Sequence, residues 1–316
     1  MAAMKALLPA GGRNMVEFGD VGQPHPADDE ALIRVEAFSV NRGETFLLEK
    51  PRPAGWRPGK DVAGLVVQAA ADGSGPATGT RVAGHPPASG WAEYVSVPTN
   101  ALAVLPDRVG VVSAAALPLA GLTALRLTRV AAKAAEGIAG RRILLTGASG
   151  GVGHYFTELA ANAGAEVTAI TASPERGARL TDLGARAVFQ AITDAERPFD
   201  LVLESVGGGC MAAGLDVLRP GGTLIWFGQA SRRPVTVSFF DLLYGATSAT
   251  IQHFSYADSP VPYGDDLAVL LRLVASGRLH PEIGRIADWA DTGTVLADLR
   301  DRRIRGNAVL TIGGFS

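Results

Sequence analysis

A single cysteine, Cys210, stands in the 316 residues, so no disulfide can form within the chain and nothing in it calls for an oxidising compartment. The five histidines, His25, His85, His154, His253 and His280, are scattered singly and supply no ligand cluster at zinc spacing. No catalytic or structural metal is expected. Charge is nearly balanced, with 29 Lys and Arg against 31 Asp and Glu. That leaves no basic excess to neutralise a phosphate backbone, which argues against a nucleic-acid partner. Long apolar runs are missing too. The nearest, Val109 to Leu125, is broken by Pro118 and by glycines and runs into Arg126 and Arg129, so no membrane span is expected. The start, Met1-Ala-Ala-Met-Lys-Ala-Leu-Leu-Pro9, lacks the apolar core of a signal peptide. The expected location is the cytoplasm.

What the chain does have is 47% hydrophobic residues, enough to bury the cores of two domains. Residues 4 to 105 read as short strands between Gly, Pro and Asp clusters: Ala31 to Ala37, Val62 to Ala69, Arg81 to Ala83 and Tyr94 to Val97. From about Ser113 the pattern becomes helical, and from Arg142 strands alternate with helices. The strand candidates there are 142 to 146, 166 to 171, 186 to 189, 199 to 203 and 222 to 227. Such alternation predicts a doubly wound parallel sheet of Rossmann type, and the fold class is α/β. After residue 263 the pattern predicts a helix over Asp265 to Ser276, a polar bend, and a last strand over Ala308 to Ile312.

The most informative segment is Ile143-Leu-Leu-Thr-Gly-Ala-Ser-Gly-Gly-Val-Gly153. An apolar strand ends in small residues, and Val152, Tyr155, Phe156, Leu159, Ala160 and Ala163 then recur at helical spacing. A helix that starts there aims unsatisfied N–H groups and a positive dipole end at an anion. In the G-x-G-x-x-G frame the three slots are Ala148, Gly150 and Gly153, so the first is imperfect. Gly150 lets backbone approach a pyrophosphate and Gly153 lets helix and strand pack closely, with Ser149, Gly151 and Val152 completing the cradle. A second strand at the right distance, Glu166 to Thr171, supplies the βαβ context the motif needs.

The end of that second strand bears on which dinucleotide is held. An acid there would accept hydrogen bonds from the adenosine ribose of NAD, but this chain has Thr171. Ser173, Arg176 and Arg179 follow and can supply a hydroxyl and guanidinium charge to a 2′-phosphate, so NADPH is expected over NADH. Arg176 and Arg179 also read as charges that merely solvate a helix face, and Glu175 beside them weakens the preference.

Six segments in order then resemble the zinc-independent quinone oxidoreductases of the medium-chain dehydrogenase/reductase superfamily, the branch that includes zeta-crystallin. They are Phe38-Ser-Val-Asn41, Gly59-Lys-Asp-Val-Ala-Gly64, Gly90-Trp-Ala-Glu-Tyr-Val95, Ala116-Leu-Pro-Leu-Ala-Gly-Leu-Thr-Ala124, the phosphate loop, and Arg302-Arg-Ile-Arg-Gly-Asn-Ala-Val-Leu310. The resemblance implies a GroES-like catalytic domain over residues 1–118, completed by 263–316, and a Rossmann NADPH-binding domain over 119–262, with a cleft between them. It also accounts for the missing metal, because zinc-dependent relatives carry Gly-His-Glu where this chain has Gly59-Lys60-Asp61.

The same resemblance implies roles. Asn41 and Thr123 are the catalytic residues, Asn41 facing nicotinamide and acceptor, Thr123 bonding the nicotinamide ribose or amide. Ser205 and Val206, with Glu204, line the adenosine side. The backbone of Phe227, Gly228 and Gln229 lines the cofactor, Arg302 approaches it from the C-terminal segment, and Arg176 sits where relatives place a phosphate-binding lysine. Without the resemblance, a cap or turn residue is the better reading of Asn41, Thr123 reads as a helix start, and Arg302 reads as one more surface charge. Departures exist. Phe46 stands where a tyrosine is expected and Leu47 to Pro53 holds none, so the proton for an enolate comes from water or another group. Asn307 replaces a common lysine, and Ala191 a tyrosine near the adenine.

The implied activity is metal-free hydride transfer from NADPH to a quinone or α,β-unsaturated carbonyl, by a homodimer or larger assembly that pairs sheet edges near Trp226 and Val235 to Phe239. An enoyl-thioester reductase of lipid or polyketide type and a non-enzymatic NADPH-binding protein are the alternatives.

Overall fold

A computed structural model describes residues 3–12 and 14–313. The chain opens with strands β1, Ala3–Pro9, β2, Val16–Gly22, and β3, Glu30–Val40, then a short helix α1, Arg42–Leu48. Strands β4, Val62–Gln68, β5, Arg81–Gly84, β6, Tyr94–Pro98, and β7, Leu102–Val104, follow, then helices α2, Val111–Ala115, and α3, Pro118–Ala134. Pro118 opens α3, where its missing N–H costs nothing. The alternating part comprises β8, Arg142–Thr146, α4, Gly151–Asn162, β9, Glu166–Ile170, α5, Pro174–Asp182, and β10, Ala187–Phe189. It continues through β11, Phe199–Glu204, α6, Gly209–Asp216, β12, Leu218–Trp226, α7, Phe239–Tyr244, and β13, Thr250–His253. Last come α8, Tyr263–Ala275, β14, Ile283–Asp288, α9, Thr292–Arg300, and β15, Asn307–Thr311.

These elements form two compact units. One runs to Leu122 and resumes at Pro260, and the other spans Thr123–Ser259, so the boundary falls inside α3.

In the first unit a seven-stranded sheet runs β14-β15-β3-β4-β5-β7, with β6 also paired to β3, and β1 and β2 make a separate hairpin. All pairings are antiparallel except β14 with β15. The core gathers apolar positions of these strands, among them Ile33, Phe38 and Val62, with Trp91 from the segment before β6. Phe38 stacks on Trp91 at 5.7 Å, and the indole N–H donates to the Ser39 carbonyl at 3.1 Å, so a large side chain is buried with its one polar atom satisfied.

In the second unit all pairings are parallel and the order is β10-β9-β8-β11-β12-β13. Counted within the unit this is 3-2-1-4-5-6, the doubly wound order in which winding reverses between the first and fourth strands. Continuous apolar runs such as Ile143–Leu145 and Leu201–Leu203 fit strands covered on both faces.

Strands β1, β2 and β7 and helix α1 were not among the elements expected before residue 105, and two later stretches depart from expectation as well. The segment expected as a polar bend holds strand β14 and helix α9. Strand β14 lies at a sheet edge with Gly284, Arg285 and Ile286 exposed, so no alternation announces it. Strand β13, also at an edge and exposed along its length, was not among the expected strands for the same reason.

Candidate functional site

At the reversal point of the second unit, three strand ends meet. Gly150 is the N-cap of α4, and Gly147 adopts φ +63, a conformation that favours glycine. A Cβ on Gly153 would lie 2.3 Å from the Ala148 carbonyl oxygen, so the helix closes on the strand only because this residue has no side chain. A Cβ on Gly150 would meet only the Gly147 carbonyl oxygen, at 3.5 Å, which leaves the approach to the α4 terminus clear. Together these features fit a dinucleotide pyrophosphate.

The neighbouring loops are tied to this one through hydroxyls. The Ser205 N–H donates to Thr146 Oγ1 at 2.9 Å, and the Ser205 hydroxyl donates to the Thr146 carbonyl at 3.0 Å. The N–H groups of Phe227, Ala230 and Ser231 donate to the carbonyls of Glu204, Ser205 and Val206. Thus the loops after β8, β11 and β12, which carry Ser149 to Gly153, Ser205 with Val206, and Phe227 to Gln229, form one bonded frame. Glu204 itself is fully buried. Its carboxyl accepts from the Thr146 hydroxyl and from the N–H groups of Val206 and Gly207. Burial pushes it above its ordinary value, against the pull of those donors.

On the adenosine side, the guanidinium Nε of Arg176 donates to Ser149 Oγ at 3.1 Å, which draws α5 and the phosphate loop together. Thr171 follows β9 directly, is buried, and gives its hydroxyl to the Ser173 carbonyl at 2.9 Å. Ser173 caps α5 and its hydroxyl bonds the Glu175 carboxyl, holding that group below its ordinary value. Among these three side chains, Arg176 is the one that lies against the phosphate loop.

The first unit holds a second constellation, built on Asp61. This side chain is 0% exposed at the end of the loop that leads into β4, and three donors converge on it. Oδ2 accepts from the Ser39 hydroxyl at 2.5 Å and from Asn41 Nδ2 at 2.6 Å, while Oδ1 accepts from the Leu119 N–H at 2.9 Å. His85 Nδ1 lies 3.4 Å from Oδ1, and the His85 ring meets Tyr263 edge-on at 4.8 Å. Asn41 is the N-cap of α1, so the cap reading and a place in a polar site are both realised. Glu44, three residues on, closes a capping box by accepting from the Asn41 N–H at 2.9 Å. The same carboxyl accepts from the Gly59 N–H at 3.1 Å and so ties α1 to the loop before β4. Burial first, then the charge of Asp61, pushes Glu44 up to about 8.

Thr123 lies within α3 and is buried, rather than starting the helix. Arg302 follows α9 in an exposed turn with φ +60. Glu44, His85 and Tyr263 were not picked out from the sequence as site residues. Only Glu44 had a local signal, the Asn-x-x-Glu spacing of a capping box, because the other two reach Asp61 through tertiary packing.

Residues 27–107 match the family described as alcohol dehydrogenase GroES-like domain, and residues 151–275 the family described as zinc-binding dehydrogenase. The chain is 34% identical over 210 residues to a chloroplastic quinone-oxidoreductase homolog of Spinacia oleracea, a match covering 63% of this chain and 62% of that protein. It is 28% identical over 319 residues to a quinone oxidoreductase of Pseudomonas aeruginosa, covering 95% of this chain and 96% of that one. A mycobacterial protein solved in complex with NADPH superposes with a TM-score of 0.87 at 26% identity, covering 98% of this chain and 99% of that chain. The side chains here do not fit the zinc of the matched family's description. Among the described residues no group of three or more His, Cys, Asp or Glu side chains is arranged to hold a metal ion, and the oxygens of Asp61 are already committed to three donors.

Proposed function

The chain belongs to the quinone oxidoreductase family of the medium-chain dehydrogenases and reductases, and we propose that it transfers a hydride from NADPH to a quinone or an α,β-unsaturated carbonyl without a metal. The observation that carries this reading is the cradle at the end of β8, where Gly150, Gly153 and the start of α4 meet Arg176 across Ser149. When bound, the nicotinamide supplies the hydride, and the protein's part is to bind, orient and exclude water. The α4 terminus and loop 147–153 grip the pyrophosphate, and Arg176 takes the 2′-phosphate. Thr171 places no carboxylate at the end of β9, so the strand end itself does not repel that phosphate. Phe227 to Gln229 and Ser205 with Val206 hold the walls of the cradle through their bonded backbones.

Asn41 and Thr123 are the catalytic residues in this reading, and Arg302 a cofactor residue, on the strength of the family resemblance. Asn41 brings an amide fixed by Asp61 and Ser39, so it orients a ligand without first losing rotamer freedom. The edge strand β13 and the exposed Phe239, Phe240 and Ile251 support a homodimer.

Anaerobic mixing with NADPH, and in parallel NADH, against a panel of quinones and enones tests the reading through the loss of reduced-cofactor absorbance. Turnover with preference for NADPH is expected. Tight NADPH binding with no turnover across the panel would overturn the activity, and equal use of NADH would overturn the cofactor preference.

A further inference from the structure

The loop that joins α1 to β4 carries a cation with nothing to balance it. Arg57 is half-buried, its Nε is fully shielded from solvent, and its guanidinium makes no hydrogen bond or ion pair among the described residues. Its neighbours are different. Arg52 donates to the Leu47 carbonyl at 2.9 Å and lies over the Trp56 ring at 5.2 Å, and Arg42 reaches the Leu299 carbonyl at 3.5 Å. Lys60 faces the buried Glu44 carboxyl. Burial pulls the Arg57 guanidinium below its ordinary value, and no anion opposes that pull.

The backbone under Arg57 is rigid. The Arg57 carbonyl accepts from the Ser89 N–H at 3.0 Å, the Pro58 carbonyl from the Trp91 N–H at 3.3 Å, and the Gly59 carbonyl from the Gly90 N–H at 3.0 Å. Gly59 has φ +110, and a Cβ there would lie 2.3 Å from the Trp91 nitrogen, so this register is locked. Glu44 then joins the Gly59 N–H to the Asn41 N–H, and Asp61, four residues after Arg57, holds the Asn41 amide. Arg57 is thus mounted on the same frame as Asn41. A charge partly desolvated in advance and left unmatched weakens the free protein, and that cost is recovered when an anion pairs with it. A guanidinium receives a carboxylate, sulfonate or phosphate through two parallel N–H donors.

We propose that Arg57 anchors an anionic group on the acceptor, so that the preferred substrate is a quinone or enone bearing a carboxylate, sulfonate or phosphate. This rests on the reductase reading above. In that reading loop 147–153 and Arg176 take the cofactor phosphates, and Arg57 is assigned to the acceptor.

The test compares 1,2-naphthoquinone-4-sulfonate with neutral 1,2-naphthoquinone under NADPH, in the wild type, Arg57→Gln and Arg57→Lys. The wild type is expected to show the higher kcat/KM for the sulfonate. Arg57→Gln should lower the ratio of the two kcat/KM values about tenfold or more, and Arg57→Lys should restore a large part of it. A ratio unchanged in Arg57→Gln overturns the inference and leaves the reductase reading standing. A rise in KM for NADPH with the ratio unchanged assigns the anion to the cofactor and overturns it as well. Turnover of neither quinone removes the reductase reading and this inference with it. Should Arg57→Gln fail to fold, the wild type still decides. Added salt must raise KM for the sulfonate more than for the neutral quinone, and equal responses overturn the inference.

Discussion

Two side chains, Arg176 and Glu44, carry the sharpest expectations at the scale of single residues. Arg176 donates to Ser149 in the phosphate loop and is the one side chain there with charge for a 2′-phosphate. Removing it as Arg176→Ala is expected to cost NADPH roughly 1.5 to 3 kcal/mol of binding, the range of a charged hydrogen bond, while NADH changes far less. Calorimetric titration with both nucleotides measures the difference, and equal losses would mean that Arg176 only props up the loop. Glu44 makes a prediction about pH. The folded chain keeps its proton up to about pH 8, whereas the unfolded chain releases it near the ordinary 4.5. Between those values the unfolded state binds fewer protons, so stability falls as pH rises through the window and levels off above it. Glu204, also raised by burial, adds to the fall with the same sign. Glu44→Gln keeps one acceptor oxygen, enough for one of the Asn41 and Gly59 N–H groups, and removes the titration; the lost bond lowers stability equally at every pH. Denaturant midpoints taken from pH 5 to 9 should therefore decline less steeply in the variant, and identical slopes would show that Glu44 is not the titrating group. The sequence drew attention to Arg176 through a charge after a strand end and to Asn41 only through the family resemblance, and the structure sets Arg176 against the phosphate loop and Asn41 on Asp61. It hid His85, Tyr263 and Arg57, whose significance comes from neighbours distant in the chain or, for Arg57, from the lack of a hydrogen-bond or ion-pair partner among the described residues.

At the scale of elements, the strand–loop–helix of β8 and α4 was readable because its physics is local. An apolar run, a cluster of small residues and a helical repeat leave one arrangement. The parallel order of the second unit was readable for a related reason, since buried strands advertise themselves by continuous apolar composition. Edge strands do not. Both β13 and β14 carry exposed side chains over most of their length, so pairing on one side is all that defines them. The Rossmann cradle also sets a prediction of its own. Because a Cβ on Gly153 falls 2.3 Å from a backbone oxygen, a flexible side chain cannot yield to it, and Gly153→Ala must displace α4 from the loop. The expected cost is about 1 to 3 kcal/mol of stability, the usual price of overpacking, together with a large loss of dinucleotide affinity. Thermal unfolding and nucleotide titration read both effects. A variant with wild-type affinity would show that helix and loop have room to separate without harm to the cradle.

At the scale of the whole molecule, the second unit ends in a feature that a lone subunit does not explain. Strand β13 forms the last edge of a six-stranded sheet, where its outer N–H and C=O groups are free to pair with another strand. Beside it in sequence, α7 begins with Phe239 at 70% and Phe240 at 60% exposure, and Ile251 on the strand itself is 42% exposed. Apolar side chains of this size, left in water, favour association over solubility. Two copies related by a twofold axis satisfy the open edge. Antiparallel pairing of β13 with its own copy would make a continuous sheet. Closed symmetry also explains why such an edge need not drive runaway aggregation, because one partner uses it up. Sedimentation velocity should then give a dimer for the wild type. Ile251→Lys combined with Phe239→Ser and Phe240→Ser should give a monomer, since charge on an edge strand opposes pairing and the apolar contribution is gone. All three positions lie away from the phosphate loop in sequence, so nucleotide titration of the same variant checks that the unit is folded. A triple variant that still sediments as a dimer would place the interface elsewhere, and a monomeric wild type would leave the open edge to a different partner.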